Sequence, residues 1–342
     1  MHIIHVNLAK GFRGGERQTV LLIQALENLV ASQTLVCRRD SPLREALSAV
    51  KGLRFATANH QLAGHMSVGS GAVVHAHEAK AVHWAWLHKR LYRTPYIITR
   101  RVDTPIRDKW SNRRFYADAD CCVAISQAIR HLLDRWSERA VPVIPSAMSG
   151  FAPDKSVAQA YRERYSGHLI IGHVGALVDR HKGQRIVLEA AKALHYSHPD
   201  LRFVFFGRGA DEARLREESA TLDNVIWEGF KKDIGNYLPA FDLFVFPSRN
   251  EGLGSVLLDV MHAQVPIIAT NVGGIPDLIK PNETGVLIAP EDGLALAAAI
   301  VDLVEQPEKR RRLAQNAYAD LERYTPQAMA QAYLAIYQRL CT

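Results

Sequence analysis

Short apolar runs alternate with segments of helical periodicity along the chain, and this alternation limits the possible folds more than any other feature. The runs are rich in Val and Ile, which is typical of parallel strands joined by crossover helices. In the first half the predicted strands are 2–7, 33–37, 72–77, 96–99, 121–125 and 141–144. In the second half they are 169–175, 201–207, 224–229, 242–247, 266–270 and 285–288. The sequence therefore predicts two doubly wound α/β sheets.

The length of 342 residues suits two domains. A Gly-, Pro- and Ser-containing stretch at 146–156 interrupts the alternation. We predict Rossmann-like domains over residues 1–150 and 166–325, with 151–165 as a linker. The remaining residues, 326–342, are predicted to form a helix that packs back on the N-terminal domain. Because ligands of open α/β sheets bind at the carboxyl ends of strands, we expect a cleft between the two domains to hold the site.

The charge differs between the halves. Residues 1–165 hold 24 Lys and Arg against 13 Asp and Glu, a net charge of +11, and the remainder holds 18 against 22, or −4. A basic half favours an anionic partner, such as a phosphorylated acceptor or an anionic lipid surface, although a solvated basic face explains it equally well. The four cysteines lack disulfide-framework or metal-ligand spacing, and no spanning segment is visible, so we expect a cytoplasmic protein.

Two polar motifs follow predicted strands of the first half. Gly14 and Gly15 precede a helix pattern and would let a phosphate approach the helix N-terminus, although a tight turn explains the pair equally well. His75, His77 and Glu78 follow the third strand. We expect no metal there, because no further ligands are spaced nearby. We expect His77 to hydrogen-bond a sugar hydroxyl or phosphate; a satisfied core histidine is the alternative.

Two further motifs follow strands of the second half. Arg180 and Lys182 lie at the start of a helix pattern, where cations can neutralise a diphosphate. Glu251 opens a turn formed by Gly252, Leu253 and Gly254, whose amides could contact phosphate oxygens. Asp259 follows Glu251 by about two helical turns, so the two carboxylates could share a face.

The segment 247–279 resembles the retaining glycosyltransferases of family 4, which have the GT-B fold. Their P-S-x-x-E-G-x-G pattern and paired acids eight residues apart are matched from Pro247 to Asp259, and a later G-G-x-P is matched at 273–276. Weaker matches are the Lys-Gly at 182–183, the glycine loop at 14–16 and Ala-Ile-Ser at 124–126. The resemblance covers nearly the whole chain.

The resemblance implies a hexosyltransferase-like enzyme that moves a sugar from a nucleotide-sugar donor to a glycan or lipid-linked acceptor with retention of configuration, as in lipopolysaccharide or cell-surface polysaccharide synthesis. Glu251 would contact the donor sugar or its phosphate, and Asp259 the ribose hydroxyls. Residues 252–254 would contact diphosphate or sugar, and Lys182 would stabilise the departing diphosphate. In the N-terminal half, which would hold the acceptor, Gly14 and Gly15 would lie beside the donor phosphates and His77 near the donor sugar.

The chain departs from the family pattern at three places. Ala176 stands where the family often has Arg, with Arg180 as a candidate substitute. Residues 145–149 replace a P-N-G-V-D segment, and Asp259 replaces Glu. Because no metal-binding D-x-D follows a strand, we expect Lys182, Arg180 and backbone amides to stabilise the leaving group without a metal or another cofactor.

Two other functions remain open from the residues alone. A sugar-nucleotide epimerase of the same fold would bind the donor but need no acceptor. A nucleic-acid-binding protein would explain the basic half, but no RNA- or DNA-binding signature is present, so we expect no nucleic acid partner.

Two segments of the first half, 82–93 and 107–116, mix aromatic and basic residues. Such a mixture is typical of a helix resting on an anionic membrane. The spacing of Trp84, Leu87 and Leu91 instead predicts a stripe facing the core. The other residues of the first segment, Trp86, Lys89, Arg90 and Arg93, are then expected to form its outer face. The family resemblance implies that this face makes a peripheral contact with the inner face of the cytoplasmic membrane.

Overall fold

The computed structural model describes residues 1–341, which divide into two compact units. The first unit comprises Met1–Ser149 and the chain from Arg323 onward, and the second is Gly150–Glu322. Residues 155–164 of the predicted linker form a helix of the second unit. That helix starts at the Asp154 side chain, which accepts the Ser156 N–H, and it buries Ala158 and Tyr161.

Each unit contains one parallel six-stranded sheet, as the sequence predicts. The strands of the first are β1 His2–Asn7, β2 Ser32–Cys37, β3 Leu53–Thr57, β4 Val73–Ala76, β5 Tyr96–Arg100 and β6 Cys121–Ala124. Those of the second are β7 Leu169–Val174, β8 Leu201–Phe206, β9 Val225–Gly229, β10 Leu243–Phe246, β11 Ile267–Thr270 and β12 Val286–Ile288. The spatial orders are β3-β2-β1-β4-β5-β6 and β12-β11-β10-β7-β8-β9. Both are the 3-2-1-4-5-6 order of the Rossmann fold.

Helices connect and cover the strands. In the first unit they are α1 Gly14–Ala25, α2 Leu43–Ala46, α3 His65–Val68, α4 Ala79–Tyr92, α5 Trp110–Ala117, α6 Gln127–Leu133 and α15 Pro326–Cys341. In the second they are α7 Lys155–Arg164, α8 Asp179–Lys182, α9 Gln184–Leu194, α10 Glu212–Glu218, α11 Val256–His262, α12 Ile275–Leu278, α13 Gly293–Glu305 and α14 Pro307–Ala319. Short 3-10 helices occupy Ile234–Asn236, Leu238–Ala240 and Asp320–Tyr324. Within residues 1–341 every helix is too short or too polar to cross a lipid bilayer.

The last helix completes the core of the first unit. Met329, Ala330, Tyr333, Ile336 and Tyr337 of α15 are buried and pack in one cluster with residues of β1, α1, β4 and β5. The core of this unit is therefore assembled from both ends of the described chain.

Two strand predictions for the first unit were wrong. Residues 141–144 form only an isolated bridge between Val143 and Ala124, because Pro142 and Pro145 lack the N–H groups that a ladder needs. The missed strand is β3, an edge strand whose Arg54 and Thr57 side chains are exposed. Its sequence lacks the continuous apolar run of a central strand.

The aromatic and basic stripe of α4 also differs from its prediction. Trp84 is buried, but Leu91 is 57% exposed. The Lys89 and Arg90 side chains pair with Asp120 and Asp118 at 2.7 Å in both cases. Much of the positive charge expected on the outer face of this helix is therefore neutralised within the first unit.

Candidate functional site

The strand order reverses at one point in each sheet, and both points lie beside predicted site residues. In the first sheet the reversal is between β1 and β4, and His77 directly follows β4. In the second sheet it is between β7 and β10, and Glu251 lies in the loop after β10. The carboxyl ends of strands at such a reversal form the usual ligand crevice of open α/β sheets.

In the second unit the structure brings Lys182 and Glu251 together. The Lys182 ammonium group donates a hydrogen bond to the Glu251 carboxylate, and 23% and 17% of these side chains are exposed. Lys182 also lies 5.1 Å from the centre of the Phe246 ring, a favourable position for a cation. A cation and a carboxylate are thus held together and remain accessible.

Two glycines with positive φ fix the loops that hold this pair. At Gly183 (φ +67°) a Cβ atom would lie 2.1 Å from the Pro247 carbonyl oxygen, and at Gly273 (φ +54°) it would lie 2.0 Å from the Glu251 carbonyl oxygen. The Gly274 N–H donates to that same Glu251 oxygen at 3.0 Å. Any side chain at either position would push apart loops that carry Lys182 and Glu251.

The turn after Glu251 presents backbone donors. Gly252, Leu253 and Gly254 are buried, and within residues 1–341 their amides donate to no backbone carbonyl. Gly254 has φ +84°, a conformation that favours glycine. Buried amides need an acceptor, so this turn suits phosphate or hydroxyl oxygens.

The two remaining predicted residues of the second unit lie on either side of this cluster. Asp259 is half-buried in the first turn of α11. Arg180 is exposed on α8, and no hydrogen bond or ion pair joins its side chain to another group of residues 1–341. Asp179, which sequence reasoning missed, is buried and pairs with Arg185 and Arg249 at 2.9 and 3.0 Å. That network anchors α8, and Arg180 remains a prediction.

In the first unit Gly14 and Gly15 form the first turn of α1. The Glu16 carboxylate accepts the Arg13 N–H at 2.9 Å. The first amides of a helix have no partner within the helix, so those of Gly14 and Gly15 point toward any ligand at this end.

The buried His77 belongs to a chain of hydrogen bonds that crosses three strands. Its Nε2 lies 3.0 Å from His5 Nδ1, and His5 Nε2 lies 3.0 Å from Gln33 Oε1. The Gln33 amide nitrogen donates to the Ile23 carbonyl at 3.0 Å, which fixes the orientation of the amide. His77 Nδ1 is buried and has no partner among residues 1–341.

These contacts determine the tautomer of His77. Burial lowers the pKa of His5 to about 4, and burial, followed by His75, His5 and Arg101, lowers the pKa of His77 well below 6.5. Both rings are therefore neutral at pH 7. Because Gln33 Oε1 can only accept, His5 carries its proton on Nε2 and accepts at Nδ1 from His77 Nε2–H. His77 Nδ1 is left as a bare acceptor, suited to a hydroxyl group.

The same cluster could bring three ligands to a metal, since one ring nitrogen of each of His5, His75 and His77 lies within 4.8 Å of the others. Five of the six ring nitrogens already have partners; those of His75 are Tyr337 and Thr99, at 2.6 and 2.7 Å. Glu78 is occupied as the cap of α4. The positive charge of Arg101 also lowers the pKa of His75 and His77. The arrangement therefore suits a neutral network better than a cation.

A cavity of about 760 Å³ lies elsewhere in the first unit. It is lined by residues of α5, α6 and their flanking loops, including Asp108, Arg113 and Trp136. No residue predicted for the site lines it.

Comparison with known proteins agrees with this geometry. Residues 157–320 match the family described as glycosyl transferases group 1. The chain is 29% identical over 278 residues to the alpha-D-kanosaminyltransferase of Streptomyces kanamyceticus, covering 72% of each protein. It is 24% identical to a lipopolysaccharide core biosynthesis glycosyltransferase of Rhizobium meliloti, covering 98% of each.

The solved structure of Anabaena HepE in complex with UDP and glucose superposes on the chain with a TM-score of 0.82 at 19% identity, covering 99% of this chain and 100% of that one. At this identity the likeness concerns the fold. It extends the GT-B fold over both units.

Proposed function

This chain belongs to the group 1 glycosyltransferases, and we propose that it transfers a sugar with retention of configuration to a glycan or lipid-linked acceptor. The single observation that supports this best is the accessible Lys182–Glu251 pair beside the strand reversal of the second unit. The products suggested by its relatives are lipopolysaccharide core or another cell-surface polysaccharide. The donor is a nucleotide sugar, and a uridine diphosphate sugar is the first candidate because HepE was solved with UDP and glucose.

In this proposal the second unit stabilises the leaving diphosphate. Charge grows on the diphosphate oxygens as the glycosidic bond breaks, and a fixed cation beside them lowers the barrier. Lys182 supplies that cation, while the buried amides of residues 252–254 supply neutral donors. Glu251 accepts hydrogen bonds from the donor sugar and Asp259 from the ribose.

The first unit contributes one hydrogen-bond acceptor for a sugar hydroxyl group and two N–H donors for phosphate oxygens. The bare His77 Nδ1 accepts a hydrogen bond from a sugar hydroxyl, and the amides of Gly14 and Gly15 donate to phosphate oxygens. We assign the attack to the acceptor hydroxyl, on the face from which the diphosphate departs.

We also propose a peripheral, cytoplasmic-side membrane contact through the first unit. Trp110 is 76% exposed and Leu91 57%, and the exposed Arg93 and Lys109 form no ion pair within residues 1–341. The sequence predicted a membrane-facing surface that includes Lys89 and Arg90, but acidic partners neutralise both. We therefore assign the membrane contact to the four exposed residues named above. An exposed aromatic group with an unpaired cation next to it in the chain, as at Lys109 and Trp110, suits an anionic lipid surface.

The test is incubation with UDP-, GDP- and ADP-sugars, following thermal stability, donor hydrolysis and the anomeric form of the released sugar. Stabilisation by one nucleotide class and release of a retained anomer are expected, unaffected by EDTA. An epimerised sugar nucleotide would indicate the epimerase instead. Absence of donor binding together with salt-sensitive RNA or DNA binding would refute the transferase.

A further inference from the structure

The side chain of Arg101 is the most unusual charged group of the first unit. All three guanidinium nitrogens are buried and have no hydrogen-bond partner among residues 1–341. Guanidinium groups remain charged in proteins and present five N–H donors. A buried cation without partners is costly to a folded protein, so such a group is typical of a site that awaits a ligand.

The polar groups around Arg101 are already engaged with other partners. The Tyr337 hydroxyl bonds to His75, and the Tyr333 hydroxyl bonds to Thr99 at 2.8 Å. The Glu16 carboxylate accepts the Arg13 N–H and forms no ion pair with Arg101. These neighbours interact with the charge of Arg101 at a distance, but none of them accepts a hydrogen bond from its N–H groups.

The Arg101 side chain runs past the first turn of α1. Its Cδ atom lies 3.7 Å from the position that a Cβ on Gly15 would take, an ordinary van der Waals distance, so the stem of Arg101 lies directly beside the start of α1. The unpaired amides of Gly14 and Gly15 lie at the same end of this 12-residue helix. Two independent features, a buried guanidinium group and a helix N-terminus, therefore favour an anion at one place.

We propose that Arg101 and the first turn of α1 form a binding site for a phosphoryl group. The planar fork of arginine matches two phosphate oxygens, and a third oxygen remains for the helix amides, whereas a carboxylate has only two oxygens for the same donors. The site is defined by the first unit alone. Its assignment to the donor diphosphate or to a phosphorylated acceptor rests on the proposed function.

The first experiment uses inorganic phosphate and needs no sugar nucleotide. Thermal unfolding of the full chain is followed against phosphate, with chloride at matched ionic strength, in a Lys182→Met background that removes the cation of the second unit. We expect phosphate to raise the Tm, and Arg101→Met to weaken phosphate binding at least tenfold. Arg101→Lys should retain part of the binding, because it keeps the charge and loses the fork. Arg39→Met, at an exposed arginine, is the control and should bind as the parent does.

The stability of the unliganded variants separates a ligand site from a structural arginine. Removing an unpaired buried charge should leave the Tm of Arg101→Met equal to or above that of the parent. A large fall in Tm for both Arg101 variants would overturn the proposal, and so would phosphate binding that Arg101→Met leaves unchanged.

Two reactions of the Arg101→Met single variant, donor hydrolysis and sugar transfer, then identify the source of the phosphoryl group. Slower donor hydrolysis and weaker nucleoside diphosphate binding would assign the site to the donor. Unchanged hydrolysis with lost transfer would assign it to the acceptor. If no sugar nucleotide reacts but phosphate binding still depends on Arg101, the transferase proposal fails and the site stands.

Discussion

The two units share one strand order but fill the centre of their sheets differently. In the first, His5 and His75 occupy the two strands at the reversal and are completely buried. In the second, the strands at the reversal are β7 and β10, and their buried residues are apolar, among them Ile171, Phe244 and Val245, with His173 as the polar exception. The first unit therefore places polar recognition groups inside its sheet, whereas the second places them in the loops above an apolar sheet. The same topology accommodates both solutions because loops and strand ends define the site.

The largest effect is expected in the loops of the second unit. Glu251→Ala should lower kcat/KM at least about a thousandfold, since it removes both a donor contact and the partner that positions Lys182. The fold should be retained, because Glu251 lies in a partly exposed turn. Steady-state kinetics and thermal unfolding measure the two effects. Activity within a few-fold of wild type would mean that the donor site lies elsewhere.

A slightly smaller loss is expected for Lys182→Ala. It should lower kcat about 100- to 1000-fold and raise KM much less, because the leaving charge is greatest in the transition state. Arg180→Ala, on the same short helix, tests the second predicted cation, and the exposed position of Arg180 predicts a smaller effect. A change confined to KM for Lys182→Ala would argue against a leaving-group role.

Acid should destabilise the first unit more than the second. The pKa values of His5 and His88 are lowered by burial to about 4, and those of His75 and His77 well below 6.5, whereas His173 is the buried histidine of the second unit, with a pKa of about 4. Below about pH 6.5 these histidines bind protons in the unfolded chain but stay neutral in the folded chain. The free energy of unfolding therefore falls as the pH falls from 6.5 toward 4.

Each such histidine contributes about 1.4 kcal/mol per pH unit in that range. Urea unfolding at pH 7 and pH 5 would measure the loss of stability. The fluorescence of a Trp227→Phe variant reports on the first unit alone, because the other four tryptophans lie there. A second unit that unfolds first in acid would contradict the comparison.

A moderate effect is expected from Gln33→Leu. This substitution removes the acceptor that fixes the tautomer of His5 and, through His5, the tautomer of His77. We expect about a fivefold loss of kcat/KM and a shift of the acid limb of the pH profile, since one fixed hydrogen bond is worth about 1 kcal/mol. Gln18→Leu is the control. That buried glutamine bonds to the Ala147 backbone and not to the histidines. If the acid limb of the pH profile moves equally in both variants, Gln33 has only a structural role.

The smallest effect concerns the surface of the first unit. Trp110→Ala should reduce co-sedimentation with anionic vesicles a few-fold at low salt, while transfer to a soluble acceptor is unchanged. Tyr196→Ala, at a 91% exposed residue of the second unit, should have no effect. If wild-type protein stays in the supernatant at low salt, the membrane contact is refuted.

The sequence predicts the sheets well because buried parallel strands are continuous apolar runs. It failed at β3, whose half-exposed edge position breaks the run, and at 141–144, where prolines prevent pairing. Both failures concern strand pairing. Pairing depends on the neighbouring strand, so the sequence of one segment does not show it.

The loops of the second unit could be predicted because their glycines and acids are close in sequence. Arg101 and the link from Gln33 to His77 could not. His5 lies 28 residues from Gln33 and 72 from His77, and only strand register brings them together. A basic residue at the end of β5 gives no local signal that its guanidinium group is buried and unpaired.

The place of α15 in the first unit has a consequence for biosynthesis. A ribosome makes β1 to β6, then all of the second unit, and only then the helix that supplies Tyr333 and Tyr337. At about 5–20 residues per second, the nascent first unit waits on the order of ten to forty seconds for its last core element. The second unit, continuous in the chain, can fold during that interval. Until α15 is made, the histidine network of the first unit is incomplete and its apolar surface remains open to chaperones.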